Sequence, residues 1–458
     1  MGEQRRVVIV GGGFAGVACA RKLASAKDLR VTLIDRNNYH QFQPLLYQVA
    51  TCQLSASDIA YPMRRIVIGN DRFDVKRANV TAIDPERKTV STETGEVHQA
   101  DYLVLAAGSR PYYFKTPGAD IHAFPLYSLD DAQRLRSRIL ALFEEADRDP
   151  ELIESGALEF VVVGGGPTGV EVAGALAEMI HTTLASEYRD LAVAHARVTL
   201  VDHGHSLLPA FSDKAHEYSA RILQRDGVRL RLGTGVTAVG PGHVELSDGS
   251  TIKTRCVIWG GGLQAAEVAT AAGLPSGRGG RIDVNPDFTI NDLPGVYVAG
   301  DIANIPGSDG SALPQLGSVA QQSGAWTAKN IIADAAGKQA KPFHYLDKGF
   351  MAMIGRGAAV AEVGNHHELQ GKIAFAAWLG VHAALMSGFR NRIDAFVDWG
   401  WDYFGSGRGP QMLDRGDAAR IDWGDEAAID PAELAAVGAR STNGASTDGT
   451  APTAAGTG

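Results

Sequence analysis

Two glycine triplets carry the first chemical signal. Gly11, Gly13 and Gly16 stand in G-x-G-x-x-G spacing in "VVIVGGGFAGVACA", and Gly164, Gly166 and Gly169 repeat it in "FVVVGGGPTGVEVA". In each triplet the first glycine permits a tight turn, the second lets backbone approach a pyrophosphate, and the third lets a helix close on a strand. The helix N-terminus then presents free N–H groups to the anion. An acid completes each motif: Asp35 ends "RVTLID" and Asp202 ends "RVTLVD", where a carboxylate accepts from ribose hydroxyls. Asp202 would repel a 2′-phosphate, so the second cradle is expected to prefer NADH to NADPH.

Strand–turn–helix units must hold these residues, and the sequence supplies two. Residues 5–36 read as strand, glycine turn, helix and second strand, and the stretch from residue 158 reads the same way. Cradles separated by roughly 150 residues predict two dinucleotides bound by two α/β domains, one inserted in the other. "ADYLVLAAGSRP" (100–111) and "LPGVYVAGDIAN" (293–304) are apolar strands running into small-residue turns. Taken singly, each could be any core strand. Together they resemble the signature segments by which FAD-containing pyridine-nucleotide oxidoreductases return the chain to the flavin. That resemblance implies a place for Asp301 beside the ribityl–phosphate region.

Composition narrows the class. The 458 residues suffice for two or three domains, and 45% hydrophobic with 21% charged residues is the balance of a folded protein. A formal charge of −9 argues against nucleic acid as a partner. Residues 411–458 hold eight acids against three arginines, so the body is close to neutral. Cys19, Cys52 and Cys256 are too far apart for a disulfide framework or zinc knuckle, so no metal site is expected and a reducing compartment fits. The chain opens straight into an apolar strand with no signal peptide, and Arg6 stands where myristoylation needs Ser or Thr.

Disulfide chemistry on this architecture needs two neighbouring cysteines, and Cys52 is alone in "QVATCQLSASDIA". A single thiol there could serve an oxidase or peroxidase through a sulfenic acid, provided its pKa is lowered. The other reading of Cys52 is a buried small residue.

Longer matches identify the family. "FQPLLYQVATCQLSASDIAYPMRRI" (42–66), "GPTGVEVAGALAE", "DKGFMAMIGRGAAVAEVG" and "AWLGVHAALMSGFRNRIDAFVDWGWDYF" resemble the type II NADH dehydrogenases. These are single-subunit NADH:quinone oxidoreductases of the FAD-dependent pyridine-nucleotide oxidoreductase superfamily. The likeness runs to about residue 404 and places Cys52 where the family has glycine. It implies FAD as cofactor, NADH as substrate, and hydride transfer to the flavin followed by two electrons to a membrane quinone, menaquinone or ubiquinone, without proton pumping. It assigns Gly11, Gly13, Phe14, Ala15, Gly16, Asp35, Val80, Ala107, Gly108, Gly300 and Asp301 to FAD. To NADH it assigns Gly164, Gly166, Gly169, Asp202 and Gly260. Glu171 matches an acid near the nicotinamide that biases local protonation, and Lys348 a cation beside the isoalloxazine. By residue type alone, Glu171 could be a first-turn helix acid and Lys348 a solvated loop lysine. Pro44, Gln48, Gly317, Ser318 and Gln322 are the expected quinone pocket. In "LPQLGSVAQQSGAW", Gly317 and Ser318 replace an Ala-Gln pair of the family, so a direct amide contact to the quinone is lost. A flavin- and NADH-binding sensor without quinone turnover is the alternative this departure raises.

The expected fold is therefore α/β with two Rossmann-like dinucleotide-binding domains, the NADH domain inserted into the FAD domain, plus C-terminal amphipathic helices. The expected divisions are an FAD domain over 1–115 and 285–345, an NADH domain over 116–284, a membrane-association region over 346–404 and a disordered tail over 405–458. Phe375, Trp378, Leu379, His382, Leu385, Met386 and Phe389 recur at helical spacing and would share one face. Such a stripe fits a core face, a homodimer face or a helix lying in the bilayer interface. The family resemblance selects the last, a monotopic anchor on the cytoplasmic face of the cell membrane. A short helix is also compatible with 425–438.

Overall fold

The computed structural model describes residues 4–188, 191, 193–308, 310–364, 367–405 and 408–413. The short helix expected at 425–438, and most of the expected tail, lie outside the described residues.

The chain begins with β1 (Arg5–Val10), α1 (Phe14–Leu23), β2 (Leu29–Asp35), β3 (Phe73–Arg77) and β4 (Tyr102–Leu105). β1 is apolar at four consecutive positions because helices cover both faces of a parallel sheet. It pairs parallel with β2, Val7 opposite Val31, and with β4, Val7 opposite Tyr102.

A second sheet follows, made of β5 (Ala123–Pro125), β6 (Glu159–Val163), β7 (Arg197–Asp202), β8 (Val228–Leu232) and β9 (Cys256–Trp259). Its order is β5-β9-β6-β7-β8, all parallel. Two helices flank it: α2 (Leu129–Arg148), opened by a Ser128–Asp131 capping box, and α3 (Pro167–Glu178), with Pro167 in its first turn.

The chain then returns to the first sheet. β10 (Thr289–Ile290) pairs antiparallel with β11 (Leu293–Val298), and β11 pairs parallel with β4, Val296 opposite Leu103. The first sheet thus runs β10-β11-β4-β1-β2-β3, with the whole second sheet inserted between β4 and β10. These are two Rossmann-like domains, one inside the other. α4 (Gly317–Ala335) packs along α1 so closely that a Cβ on Gly324 would overlap the Ala15 carbonyl.

The C-terminal region is an antiparallel sheet of β12 (Phe350–Gly355), β13 (Ala358–Val363) and β14 (His367–Gln370), then α5 (Gly371–Leu385) and α6 (Phe389–Phe404). β12 lies directly on α3, where a Cβ on Gly174 would overlap the Ile354 carbonyl. One hydrophobic core unites residues 42–59, the second sheet's helices and this C-terminal region, including Trp378 and Trp399.

The C-terminal stripe divides differently from the expectation. Trp378 and Met386 are buried against the body, and Phe375, Leu379 and His382 are half-buried. Only Leu385 and Phe389 of the expected face are exposed, and they join Ile393, Val397 and Trp401. The packed chain also continues past residue 405. Arg408 is only 5% exposed; it donates to the Thr51 and Ala175 carbonyls and pairs with Glu178 (3.6 Å) and Asp402 (3.5 Å).

Candidate active site

The two glycine turns are built alike. Gly11 has φ +103°, and a Cβ there would overlap the Ala106 carbonyl; Gly164 has φ +112° and lies against Gly260. A Cβ on Gly16 would overlap the Gly11 carbonyl, and one on Gly169 the Gly164 carbonyl, so the third glycine closes helix on strand in both. Gly13 and Gly166 are the N-caps of α1 and α3; neither helix start has a side-chain cap, and space is open above both glycines. The exposed N–H groups and open space fit a pyrophosphate at each helix N-terminus. Asp35 accepts from the Gly12 and Asn37 N–H groups at 2.6 and 2.7 Å, while Asp202 accepts from Gly165 and Gly204, both at 2.6 Å. Each carboxylate is thereby fixed at the end of its strand beside its glycine turn. Burial raises the pKa of Asp35, and the Gly12 and Asn37 donors oppose that rise.

Both cradles open into one cavity of about 420 Å³. The first domain contributes Gly13, Phe14, Ala15, Gly108, Gly300 and Asp301; the second contributes Glu171 and Gly260. Pro44, Gly317, Ser318 and Lys348 complete the set of expected residues on its wall. Asp301 Oδ2 lies 3.0 Å from Ser109 Oγ, which lies 2.8 Å from Tyr127 Oη, and burial raises the carboxyl's pKa. The open helix terminus, the buried Asp301 and the cavity between the domains match the needs of an FAD pyrophosphate, ribityl chain and ring. A groove of about 740 Å³ near Pro85 and Pro275 holds none of the motif residues.

Glu171 is half-buried, on the cavity wall. Burial raises its carboxyl to about 8, against a pull from the Met353 N–H, which donates to Oε1 at 3.1 Å. The nearby Trp378 indole also favours the charged form, although its N–H completes no hydrogen bond among the described residues. Lys348 sits exposed at the cavity rim, next to Gly349, whose φ of +83° brings the chain against the Glu362 carbonyl.

Four expected residues are placed elsewhere. Val80 starts a strand opposite Thr92 and is not on the cavity wall. Gln48 lines a neighbouring cavity, with its Oε1 accepting from Trp399 at 2.8 Å. Gln322 spends its amide on both backbone groups of Leu346, and the adjacent Gln321 faces the cavity instead. Ala107 backs the Gly11 turn rather than the cavity. Ser318 stays on the wall, its hydroxyl 2.9 Å from that of Tyr345.

Several wall residues lie outside the individually assigned site residues: Phe42 and Tyr47 of the run 42–55, Gln315, and His382 of the expected C-terminal helical face. His382 is neutral, lowered to about 4 by burial, and its Nδ1 donates to the Trp378 carbonyl at 2.8 Å, leaving Nε2 as an acceptor. The run "FQPLLYQVA" was the available signal, since its aromatic and apolar residues serve cavity and core together.

The cysteines resolve plainly. All three are free and buried. Cys52 has φ +61°, the left-handed conformation that glycine adopts without strain. Burial raises its thiol to about 11, outweighing the nearby Arg136 and Arg408. A peroxidatic thiolate needs the opposite shift, so the oxidase or peroxidase alternative has no thiolate here.

Comparison with known proteins agrees with this geometry. The family model for pyridine nucleotide-disulphide oxidoreductases matches residues 5–324. The type II NADH:quinone oxidoreductase Ndh of Mycobacterium tuberculosis is 38% identical over 423 residues, covering 89% of this chain and 90% of that protein. The type II NADH:quinone oxidoreductase of Staphylococcus saprophyticus is 28% identical, covering 81% and 92%. In fold, the chain is similar to NDH2 from Plasmodium falciparum in complex with NADH, with TM-score 0.82, 19% identity, and coverage of 90% of this chain and 100% of that one. The chain belongs to the pyridine nucleotide-disulphide oxidoreductase family and, within it, to the type II NADH:quinone oxidoreductases.

Proposed function

We propose that this chain is a respiratory, non-proton-pumping NADH dehydrogenase that oxidises NADH and reduces a membrane quinone, menaquinone or ubiquinone. The observation that carries the reading is the single cavity onto which both dinucleotide cradles open. FAD bound there supplies the hydride acceptor and the two-electron donor.

The chain's own residues bind, orient and protonate. The N-termini of α1 and α3 hold the two pyrophosphates, and Asp35 and Asp202 hold the ribose ends. Glu171 keeps a proton on its buried carboxyl at neutral pH, available on the cavity wall. Lys348 brings positive charge to the rim, where negative charge develops on reduction. Phe14, Phe42 and Pro44 form an apolar wall for a quinone ring beside Gly317 and Ser318, with Gln321 rather than Gln322 offering an amide. Ser318, tied to Tyr345, is the hydroxyl this chain offers in place of the family's glutamine.

The same reading places the enzyme on the membrane, peripheral and monotopic. Among the described residues no helix is long and apolar enough to cross a bilayer. α6 exposes Phe389 (77%), Ile393, Val397 and Trp401 (70%) at four-residue spacing, an apolar edge suited to the interface. The cytoplasmic face is the side on which NADH is supplied. The test is NADH-dependent reduction of a short-chain quinone by flavin-loaded protein, together with co-sedimentation on lipid vesicles. Absence of quinone turnover removes the main reading, and absence of vesicle binding removes the membrane placement.

A further inference from the structure

Tyr47 lines two cavities at once: the active-site cavity and a second one of about 380 Å³ behind it, under α5 and α6. The second cavity reaches the exposed side chains of Lys372 and Tyr403. Glu171 lines the first cavity and Glu178 the second. They lie seven residues apart on α3, so both project from one face, roughly 10 Å apart along the axis.

The hydrogen bonding around Tyr47 is directional. Gln48 Nε2 donates to Tyr47 Oη at 3.1 Å, and Trp399 Nε1 donates to Gln48 Oε1 at 2.8 Å. The phenol oxygen therefore acts as an acceptor, and among the described residues its own proton meets no acceptor. Burial, then the charges of Glu171 and Glu178, keep that phenol protonated, with Arg408 opposing. On the wall of the second cavity Gln53 donates to Asp402 Oδ2 at 3.2 Å, while its buried Oε1 has no partner among the described residues. A buried carbonyl oxygen of this kind is a site for water, which the cavity can admit where it reaches the exposed Lys372 and Tyr403.

Quinone reduction has a proton requirement that NADH alone does not meet. The balance is NADH + H⁺ + Q → NAD⁺ + QH₂: the hydride brings both electrons and one hydrogen, and the second hydrogen arrives from solvent. Glu171 is half-buried on the cavity wall, and a quinone seated in that cavity covers it from solvent, so the carboxyl must be resupplied from another side after each turnover. We propose that the second cavity is the proton inlet of this reaction, and that Tyr47 passes protons from its water to Glu171. In that step the Tyr47 O–H bond breaks towards a water in the active-site cavity, which gives a proton of its own to the Glu171 carboxylate, while a new O–H bond forms on Tyr47 from water of the second cavity. No electrons move, and the tyrosine ends as it began. This inference rests on the quinone reading above.

The test compares two electron acceptors on flavin-loaded, full-length protein. Ferricyanide takes electrons without a proton, whereas a short-chain quinone needs one. Tyr47→Phe keeps the ring against Trp378 and removes only the hydroxyl. The expected result is a fall of about ten-fold or more in the ratio of quinone to ferricyanide rate, with a larger solvent deuterium isotope effect on quinone turnover. Glu178→Gln, at the far side of the inlet, is expected to lower the same ratio by about three-fold and carries the test if Tyr47→Phe fails to retain flavin. Equal losses with both acceptors would make Tyr47 a packing residue and overturn the inlet, as would an unchanged ratio. Wild-type protein that reduces ferricyanide but no quinone overturns the quinone reading itself and the inlet with it.

Discussion

The backbone N–H of Met353 donates to Glu171 Oε1 at 3.1 Å, joining β12 of the C-terminal region to α3 of the inserted domain across 182 residues. The contact is possible because position 174 is glycine, which lets Ile354 settle against the helix. The C-terminal region thus packs against the acid to which the proposed function gives the proton, and burial lifts that carboxyl to about 8.

Quinone turnover should therefore fall as pH rises through about 8, where Glu171 loses the proton it holds. Glu171→Gln should remove this inflection from the pH profile of kcat and lower kcat by about 10- to 100-fold. The stability effect has a defined sign. The folded value lies above the ordinary 4.5, so the favourable contribution is complete below 4.5 and is lost as pH rises through about 8. Denaturant midpoints of wild type and Glu171→Gln should converge below that window and separate above it, with the variant the more stable at high pH.

Cys52 is a glycine position occupied by a side chain. Cys52→Ser should leave NADH oxidation within about two-fold of wild type, because the buried thiol is not ionised. Cys52→Gly should relieve a left-handed strain of about 1 kcal/mol while losing a buried sulfur of similar worth, leaving thermal stability nearly unchanged. Loss of activity in Cys52→Ser would contradict this.

On the proposed reading, Asp202 sets the nucleotide preference. Its carboxylate is held by two backbone donors beside the second glycine turn, where a 2′-phosphate would meet it. Wild type should favour NADH over NADPH in kcat/KM by about 100-fold, and Asp202→Asn, which keeps an acceptor but removes the charge, should narrow that by about ten-fold. Steady-state kinetics with both nucleotides decides it.

Arg408 ties the end of the described chain to the body between Glu178 and Asp402. Arg408→Met should cost about 3 kcal/mol, since two partly buried carboxylates and two carbonyls lose their cation. Chemical denaturation of the flavin-loaded protein would show it as a lower midpoint with unchanged slope.

What the sequence revealed follows physical locality. Gly11, Gly13 and Gly16 were legible because a turn, an open helix start and a helix–strand contact fix them within six residues. Asp301 was legible through the resemblance of its segment to the flavoenzyme signature, not through its strand and turn alone, and it lies on the cavity wall. Gln48 was not, because adjacent residues of one helical turn face different cavities, and only Tyr47 reaches both. Gln322 and Gln321 differ in the same way, since the spacing of two glutamines does not say which one Leu346 will capture. In the C-terminal helices periodicity marked an apolar face but not what covers it, and the body covers Trp378 and Met386. Arg408 carried no signal at all, because its partners come from distant segments.

Electron transfer to quinone is the central claim, and stopped-flow reoxidation tests it most directly. The flavin-loaded protein is reduced with one equivalent of NADH and mixed with a short-chain menaquinone or ubiquinone analogue, and flavin absorbance is followed. The account predicts reoxidation whose rate rises with quinone concentration and keeps pace with steady-state turnover. Flavin that stays reduced with every quinone, while oxygen or peroxide reoxidises it, would contradict the account.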